Sequence, residues 1–496
     1  MRSKNSLLLF LSCFIYITAF SQSLKGKITD TNNTPISYAT VQIGKNYGVL
    51  SNQEGEFSII IPVTNENSRL EISYMGYETL EIPISNIKPD DTYVLIEKVN
   101  ELGAVMVSNK ELTPLEIINT MLEKAPDNYT LNNFSQTFFL RTSTATTLED
   151  FEFEIDRATD LDRKARKGLN ADIEKFTKDV KGQNFKYFVE YLGDLAFHKD
   201  SSKLFIQKGI YLKNKDQEIS EDKMSEKVIN LIKNYLDPDA SYKVKTGLFK
   251  VEDSLTTADI FEEDNDSLKG NTSYLKKNLV AKNIEFLKFY DNEDVDFFEK
   301  QNRYDYTLDG YTTIDDETVY IITFTPRKGS ADYSGKMYIN AFDYALVRLE
   351  CKMQPDKNLH NLNLKFLLGV KFRQDRVGMT YVFQKNDEGK YEIKFVKKED
   401  GMYAYMSRPI KFIKNRADRS EDKQILKFDF TFETNVYSVR EYYVLNQTTI
   451  NEQQFSEIEA QEKFTPVEIE KYNPTIWEGY NVIAPIEDIK NYGQDD

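Results

Sequence analysis

The stretch that decides the fold of the N-terminal region lies between residues 24 and 98. Its most regular segments are Ala39-Thr40-Val41-Gln42-Ile43, Phe57-Ser58-Ile59-Ile60-Ile61 and Leu70-Glu71-Ile72-Ser73-Tyr74. Apolar residues recur at every second position in each segment, which is the period of a strand with one buried face. Gly48 and Gly55, with breaker clusters at residues 32–35 and 88–91, mark turns between the strands. Short strands with frequent turns predict an antiparallel β-sandwich.

Several positions in this stretch match the pattern of a known family. They are Gly26-Lys27-Ile28-Thr29-Asp30, Pro35, Gly55-Glu56-Phe57 and Tyr74-Met75-Gly76-Tyr77. On these residues the stretch resembles the carboxypeptidase regulatory-like (transthyretin-like) domain of Gram-negative envelope proteins. The resemblance implies a small β-sandwich outside the cytoplasm, and it does not imply a peptidase.

A zinc carboxypeptidase site is excluded by the histidine count. Catalytic zinc of that kind needs His, Glu and His ligands around an open coordination position. The chain has two histidines, His198 and His360, and Ser201 and Asn363 stand where a glutamate three residues later would be needed. Phosphate-binding glycine loops and a serine nucleophile elbow are also absent from the sequence. We therefore predict no metal site, no cofactor and no catalytic residue.

The first residues predict export. Arg2 and Lys4 precede an apolar run over residues 7–20, and Ala19-Phe20-Ser21 is a small-x-small cleavage site before Gln22. The alternative to cleavage before Gln22 is a lipoprotein signal with lipidation at Cys13. The apolar run continues past Cys13, which is unlike the start of a mature lipoprotein. No later window approaches twenty apolar residues, so we expect no transmembrane helix in the mature chain. The net charge of −16 is unfavourable for nucleic acid and for anionic lipid as partners.

The predicted organisation has five parts: 1–21 signal peptide, 22–98 regulatory-like β-sandwich, 99–130 connecting strand and helix, 131–450 antiparallel β domain with helical insertions, and 451–496 C-terminal segment. Residues 102–108 form a further apolar stretch. Thr113, Pro114 and Glu116 then predict a capped helix start, and Ala125-Pro126 predicts the helix end. The sandwich is expected to fold by itself, because about 90 residues suffice for such a domain. Trp477, the single tryptophan, is interpreted as a packing anchor.

The second domain is predicted to be a meander of aromatic-rich strands, with helices at residues 150–181 and 221–236. Predicted strands include 304–308, 318–324, 335–339, 345–349 and 362–372, with hairpin turns at Asp387-Glu388-Gly389 and Glu399-Asp400-Gly401. The pattern around Gly310, Pro326, Asn340 and Leu346 resembles the curved half-barrel of periplasmic lipoprotein carriers. The predicted fold class is therefore mainly β with helical insertions, a sandwich followed by a larger antiparallel curved sheet.

Acidic loop clusters and one short pattern are the remaining candidate sites. Two interpretations are open for the clusters at residues 262–266, 291–296 and 315–317. Their carboxylates act as acid and base or bind calcium, or the clusters are solvated turns. Asp253-Ser254-Leu255 and Asp266-Ser267-Leu268 resemble an O-glycosylation acceptor of some Gram-negative envelopes. The carrier resemblance suggests an apolar ligand such as an acyl chain; alternatively, aromatic residues such as Phe366, Phe372, Tyr381 and Phe383 merely fill a core.

Two functions follow as hypotheses. The first is a non-enzymatic exported protein of the periplasm or outer membrane, with a binding or scaffolding role toward an envelope protein, a glycan or a lipid. The alternative is a carboxylate-dependent hydrolase of envelope glycan or peptide.

Overall fold

A computed structural model describes residues 23–44, 47–62, 68–88, 90–98, 112–129, 133–213, 221–247, 249–256, 272–291, 295–314, 317–416, 418 and 423–494. The predicted signal peptide with Cys13, the apolar stretch at 102–108 and Asp266-Ser267-Leu268 lie outside these residues. The chain divides into two compact units. The N-terminal unit comprises Met1–Val99 and Asn473–Lys490, and the large unit comprises Asn100–Tyr472 and Asn491–Asp496.

The N-terminal unit contains two small sheets. One has the order β4-β1-β7, with β1 and β7 parallel, and the other has the order β3-β2-β5-β6. Its strands are β1 (Ser23–Thr29), β2 (Thr40–Ile43), β3 (Gly48–Leu50), β4 (Glu56–Ile60), β5 (Arg69–Ser73), β6 (Leu80–Pro83) and β7 (Asp91–Val94), with a 3-10 turn at Ile84–Asn86. Alternating residues of both sheets, among them Phe57, Ile59, Val41 and Ile72, form one buried cluster. This arrangement confirms the predicted sandwich.

A C-terminal segment, Asn473–Lys490, belongs to this unit and is called the strap below. The amide N–H of Ile60 in β4 donates to the side-chain oxygen of Asn481 at 2.9 Å. The side-chain amide of Asn52 donates to the carbonyl of Pro485 at 3.0 Å. Five residues of the strap are themselves buried: Trp477, Val482, Ile483, Ala484 and Ile489. The predicted C-terminal segment 451–496 is therefore divided, because its residues 473–490 pack with the sandwich and the rest with the large unit.

The large unit is built on a 14-stranded sheet whose main path is β13-β14-β15-β16-β18-β19-β20-β8-β9-β10-β21. Pairing along this path is antiparallel except between β10 and β21, which confirms the predicted mainly antiparallel β fold. Its strands are β8 (Phe134–Ala158), β9 (Asn184–His198), β10 (Ser201–Leu212), β11 (Ser241–Thr246), β12 (Phe249–Thr256), β13 (Tyr304–Ile314), β14 (Glu317–Pro326), β15 (Tyr333–Asn340), β16 (Leu346–Met353), β17 (Leu359–Leu364), β18 (Val370–Lys385), β19 (Tyr391–Lys414), β20 (Ile425–Thr449) and β21 (Val467–Ile469).

The described helices range from four to 18 residues. They are α1 (Pro114–Asn128), α2 (Arg163–Val180), α3 (Glu221–Lys233), α4 (Thr272–Leu287), α5 (Asp296–Glu299), α6 (Lys365–Leu368), α7 (Glu452–Glu457) and, in the strap, α8 (Glu487–Lys490), with 3-10 turns at Phe289–Asp291 and Gln301–Arg303. Among the described residues, no helix has the length and apolarity needed to cross a bilayer.

The start of α1 follows the predicted capping box. The hydroxyl of Thr113 accepts from the N–H of Glu116 at 3.3 Å, and the Glu116 carboxylate accepts from the N–H of Thr113 at 2.8 Å. The predicted end at Ala125-Pro126 is wrong, since the helix continues to Asn128 with Pro126 in its last turn. A proline removes only one donor there, and the N–H of Tyr129 still donates to the carbonyl of Ala125.

Two predicted features of the β region are wrong for local reasons. Glu399-Asp400-Gly401 is not a turn but the middle of β19. Gly401 is needed because a Cβ there would lie 2.7 Å from the Cβ of Arg376 on the neighbouring strand. Residues 362–372 are not one strand, because α6 interrupts them and Gly369 reverses the chain at φ +65°. The predicted helix at 150–181 is also shorter, since β8 extends to Ala158 before α2 begins.

Candidate ligand-binding surface

One face of the large sheet carries the helices and is called the helical face. Along β19 the even-numbered residues from Lys398 to Phe412 share this face, because successive residues of a strand alternate. Lys398 pairs with Glu285 of α4 at 2.6 Å. Phe412, at the other end, belongs to an apolar cluster with Ile173 of α2 and Met224 of α3. Helices therefore lie at both ends of the same face.

Between these helices lies a row of incompletely covered apolar side chains, which we call the trough. Met402, Ala404 and Met406 of β19 form its middle line. Each pairs across the sheet with residues of β18 and β20 on the same face, and most of these are apolar. The trough consists of Phe372, Met402, Ala404, Met406, Phe432 and Val436; Met406 is the most exposed, at 37%. Three adjacent strands thus present a continuous half-buried apolar surface.

Polar groups bound the trough on the side of α4. The side-chain amide of Gln374 donates to the carboxylate of Asp400 at 3.0 Å. Arg440 of β20 is exposed and stands directly opposite Lys398 on the helical face. The Lys398 ammonium is already paired with Glu285, so Arg440 is the cation that an anionic group at this end would meet.

At the other side the trough continues into an exposed apolar tip. In the hairpin formed by β17, α6 and β18, Leu362 pairs with Phe372 and Leu364 with Val370. Phe366 is 99% exposed, Leu367 75% and Leu362 47%, and these three residues are called the tip. Gly369 is required at the turn, because a Cβ there would lie 2.0 Å from the carbonyl oxygen of Ser407.

The opposite face of the sheet is polar and cationic near this hairpin. Four cations lie over tyrosine rings: Lys365 over Tyr405 at 3.7 Å, Lys371 over Tyr403 at 5.3 Å, Arg373 over Tyr403 at 4.4 Å and Arg376 over Tyr437 at 4.8 Å from the ring centre. Arg373 and Arg376 line an open groove of about 540 Å³ together with Thr147 and Asn435. Such cation–π contacts hold the side chains in place, and the Nε–H of Arg373 also donates to Asp375 at 2.8 Å.

A buried ion network fixes the three strands next to this groove. Arg141 of β8 donates to Glu190 of β9 at 2.6 Å and lies 3.4 Å from Glu441 of β20. All three side chains are at most 5% exposed. Burial alone would lower the pKa of Arg141, but Glu190 and Glu441 raise it above its usual value. No sequence pattern predicted this network, since Arg141 and Glu441 are 300 residues apart.

The four aromatic residues predicted to line a cleft or fill a core separate into two groups. Tyr381 is 1% and Phe383 5% exposed, and Tyr381 contacts Phe286 of α4, so both fill the core. Phe372 is half-buried in the trough, and Phe366 forms the tip. The core interpretation is therefore correct for two of them and wrong for the other two.

Two described acidic residues of the predicted clusters, Asp296 and Glu317, make structural contacts, whereas Asp291 is exposed. Asp296 is 4% exposed and accepts a hydrogen bond from the Tyr304 hydroxyl, and burial raises the pKa of its carboxyl group. Glu317 accepts from Lys385 at 2.9 Å. Residues 262–266, 292–294 and 315–316 lie outside the described residues. Ser254 is exposed in β12, and its glycosylation stays a prediction.

The histidines do not assemble a metal site within the described ranges. His198 is buried and stacks on Phe455, with ring centres 5.6 Å apart, whereas His360 is exposed. The one carboxylate group there with cation-binding spacing is Glu54, Glu56 and Glu487 in the N-terminal unit. The Lys490 ammonium lies 2.7 Å from Glu487 and is bonded to Glu56, so two of the three carboxylates are already paired with a cation.

The class of the N-terminal unit is established by comparison. Residues 24–107 match the family model of the CarboxypepD_reg-like domain, which confirms the resemblance read from the sequence. The match spans less than a fifth of the chain and assigns that domain alone. No curated protein is significantly similar in sequence to this chain.

Three of the solved structures similar to most of the chain are bacterial proteins. A LolA superfamily protein from Nitrosomonas europaea is 11% identical, covers 69% of this chain and 97% of its own, and has a TM-score of 0.15. A domain described as an outer membrane lipoprotein-sorting protein, from Vibrio parahaemolyticus, is 6% identical, with coverages of 70% and 98% and a TM-score of 0.18. A DUF1329 family protein from Desulfovibrio piger is 10% identical, with coverages of 70% and 98% and a TM-score of 0.17. At these TM-scores the likenesses carry no conclusion about function.

Proposed function

We propose that this chain is a non-enzymatic, exported envelope protein that binds an amphiphile with an acyl chain and an anionic head. The observation that carries the proposal is the trough, in which apolar side chains of three neighbouring strands remain only half-buried between two groups of helices. Export rests on the predicted signal peptide, with Arg2 and Lys4 before an apolar run and a cleavage site before Gln22.

The trough has the chemistry that an acyl chain needs. Burying apolar area is favourable by about 25 cal/mol per Å², and a half-exposed row of side chains retains part of this gain for a ligand. Methionine suits such a surface because its unbranched, polarisable side chain adapts to irregular shapes, and Met402 and Met406 lie on its middle line. Arg440 supports an acidic head group at the end near α4.

The test is uptake of a fluorescent fatty acid, cis-parinaric acid, by delipidated protein. Val436→Asp places a carboxylate in the trough and is expected to weaken binding at least tenfold, about 1.4 kcal/mol. Val467→Asp is the matched control, because Val467 is 63% exposed in β21 of the same unit. Its affinity should equal that of the unaltered protein.

Head-group recognition is tested separately with Arg440→Gln. This change should lower affinity for the free acid and leave affinity for its methyl ester unchanged, because the ester carries no charge to pair. Absence of uptake by the unaltered protein, under conditions in which a known fatty-acid carrier is saturated, would refute the proposal. Equal loss in both valine variants would also count against the trough.

A further inference from the structure

We propose that the hairpin of β17, α6 and the first half of β18, residues 359–376, docks onto the surface of an anionic phospholipid bilayer. Phe366 and Leu367 of the tip would enter the interfacial layer, and the cations on the opposite face would meet lipid phosphates. The inference is separate from the trough's ligand, although a docked hairpin would place one end of the trough beside the lipid.

The exposure of the tip is the first observation. Phe366 is 99% and Leu367 75% exposed, and they are adjacent in the chain, with Leu362 beside them at 47%. Single exposed apolar residues are normal on protein surfaces, but adjoining ones mark an interaction surface. The turn that presents them has Gly369 in a left-handed conformation close to the carbonyl oxygen of Ser407.

The charge of the hairpin is the second observation, and it identifies the occupant. Residues 359–376 hold Lys365, Lys371, Arg373 and Arg376 but a single carboxylate, Asp375, so the hairpin is +3 within a chain of net charge −16. At physiological ionic strength charges further away than about 8 Å are largely screened, so these local cations determine which surface approaches. A bilayer with anionic phosphates matches both parts of the hairpin, the apolar tip and the adjacent cations. An acidic surface on a second copy of this chain would match the cations alone.

The arrangement keeps these two kinds of group apart. Phe372 of β18 faces the trough, whereas Lys371 and Arg373 lie on the opposite face over Tyr403. Tyr403 holds both cations in place. The Nε–H of Arg373 already donates to Asp375 at 2.8 Å, so the Lys371 ammonium and the terminal guanidinium N–H groups of Arg373 are the donors proposed to meet phosphate oxygens. The hairpin is thus amphipathic across its thickness, as expected of a segment that enters a bilayer surface obliquely.

The test is flotation of the exported chain with vesicles of phosphatidylcholine and phosphatidylglycerol at a ratio of 7:3, at 150 mM salt. The unaltered protein should float with these vesicles and less with pure phosphatidylcholine. The double substitution Phe366→Ser/Leu367→Ser should reduce the bound fraction at least tenfold. Phe342→Ser is the matched control, because Phe342 is 74% exposed in another turn of the same unit, and it should bind normally.

The cationic part has its own variant. Lys365→Gln/Lys371→Gln should weaken binding to the mixed vesicles and flatten its dependence on salt, with little effect on pure phosphatidylcholine. Equal flotation of the tip double variant and the unaltered protein would overturn the inference. A tip-dependent dimer in vesicle-free solution, measured by sedimentation, would also overturn it by making the tip a contact between copies.

The outcomes separate docking from ligand binding. Val436→Asp should float normally although its fatty-acid binding is lost, and Phe366→Ser/Leu367→Ser should still bind parinaric acid in solution. If the unaltered protein floats with vesicles but takes up no fatty acid, docking is supported and the proposed function is refuted. If it takes up fatty acid but does not float, only docking is refuted.

Discussion

Replacement of one strap residue, Ile483→Ala, is expected to destabilise the N-terminal unit. Ile483 has no exposed surface and lies between Asn481 and Pro485, whose side-chain and carbonyl oxygens accept hydrogen bonds from Ile60 and Asn52. Truncating a fully buried isoleucine to alanine costs about 2 to 5 kcal/mol, since the transfer term and the cavity term add. With an m-value of about 2 kcal/mol/M, the urea midpoint should fall by about 1 to 2.5 M.

Tryptophan fluorescence measures this unit selectively. Trp477 is the only tryptophan of the chain, it is 6% exposed, and it lies in the strap beside Tyr480. Excitation at 295 nm therefore reports unfolding around the strap, while circular dichroism follows the large sheet. The red shift of Trp477 emission gives the midpoint.

Ile96→Ala is the matched control, because Ile96 is 56% exposed in the same unit and the chemical change is identical. Its midpoint should change by no more than the equivalent of about 0.5 kcal/mol. If both alanine variants unfold at the same urea concentration as the unaltered protein, the strap does not contribute to the core of the N-terminal unit. That result would agree with the expectation that residues 22–109 fold alone.

Three further outcomes are expected. Asn481→Ala removes the acceptor of the Ile60 N–H at the edge of β4 and should cost about 1 kcal/mol, measured by Trp477 fluorescence in urea. Arg141→Met leaves two buried carboxylates without their cation and should lower the stability of the large unit by about 3 to 5 kcal/mol, measured by circular dichroism at pH 7. Burial raises the pKa of the Cys351 thiol to about 12, so at pH 8 Ellman's reagent should react with it only after unfolding; rapid reaction of folded protein would contradict its burial.

Patterns that act over a few residues were readable from the sequence. The capping box of Thr113 and Glu116 and the hairpin at residues 387–389 were found as predicted, because each depends on neighbours within one turn. The same reasoning failed at Gly401, where a glycine that looks like a turn residue instead allows two long strands to approach. A glycine has more than one physical use, and the local sequence does not distinguish them.

The period of two predicted the strands at 304–308, 318–324, 335–339 and 345–349, but it could not predict which stretch of a face the helices leave open. Phe372 and Tyr381 are both aromatic residues of β18. Tyr381 is buried against Phe286 of α4, whereas Phe372 is half-buried in the trough. The trough and the tip were therefore decided by tertiary structure.

The sequence by itself determined the sandwich, the predominance of antiparallel strands and the expectation of export, because these depend on local periodicity, turn residues and composition. Tertiary structure alone decided that the strap hydrogen-bonds to the sandwich and that Arg141 meets Glu190 and Glu441. Asn52 and Pro485 are 433 residues apart, and their contact depends on how the whole chain folds back. Such pairings are selected by burial and hydrogen bonding in the assembled fold, where each buried donor must find its acceptor.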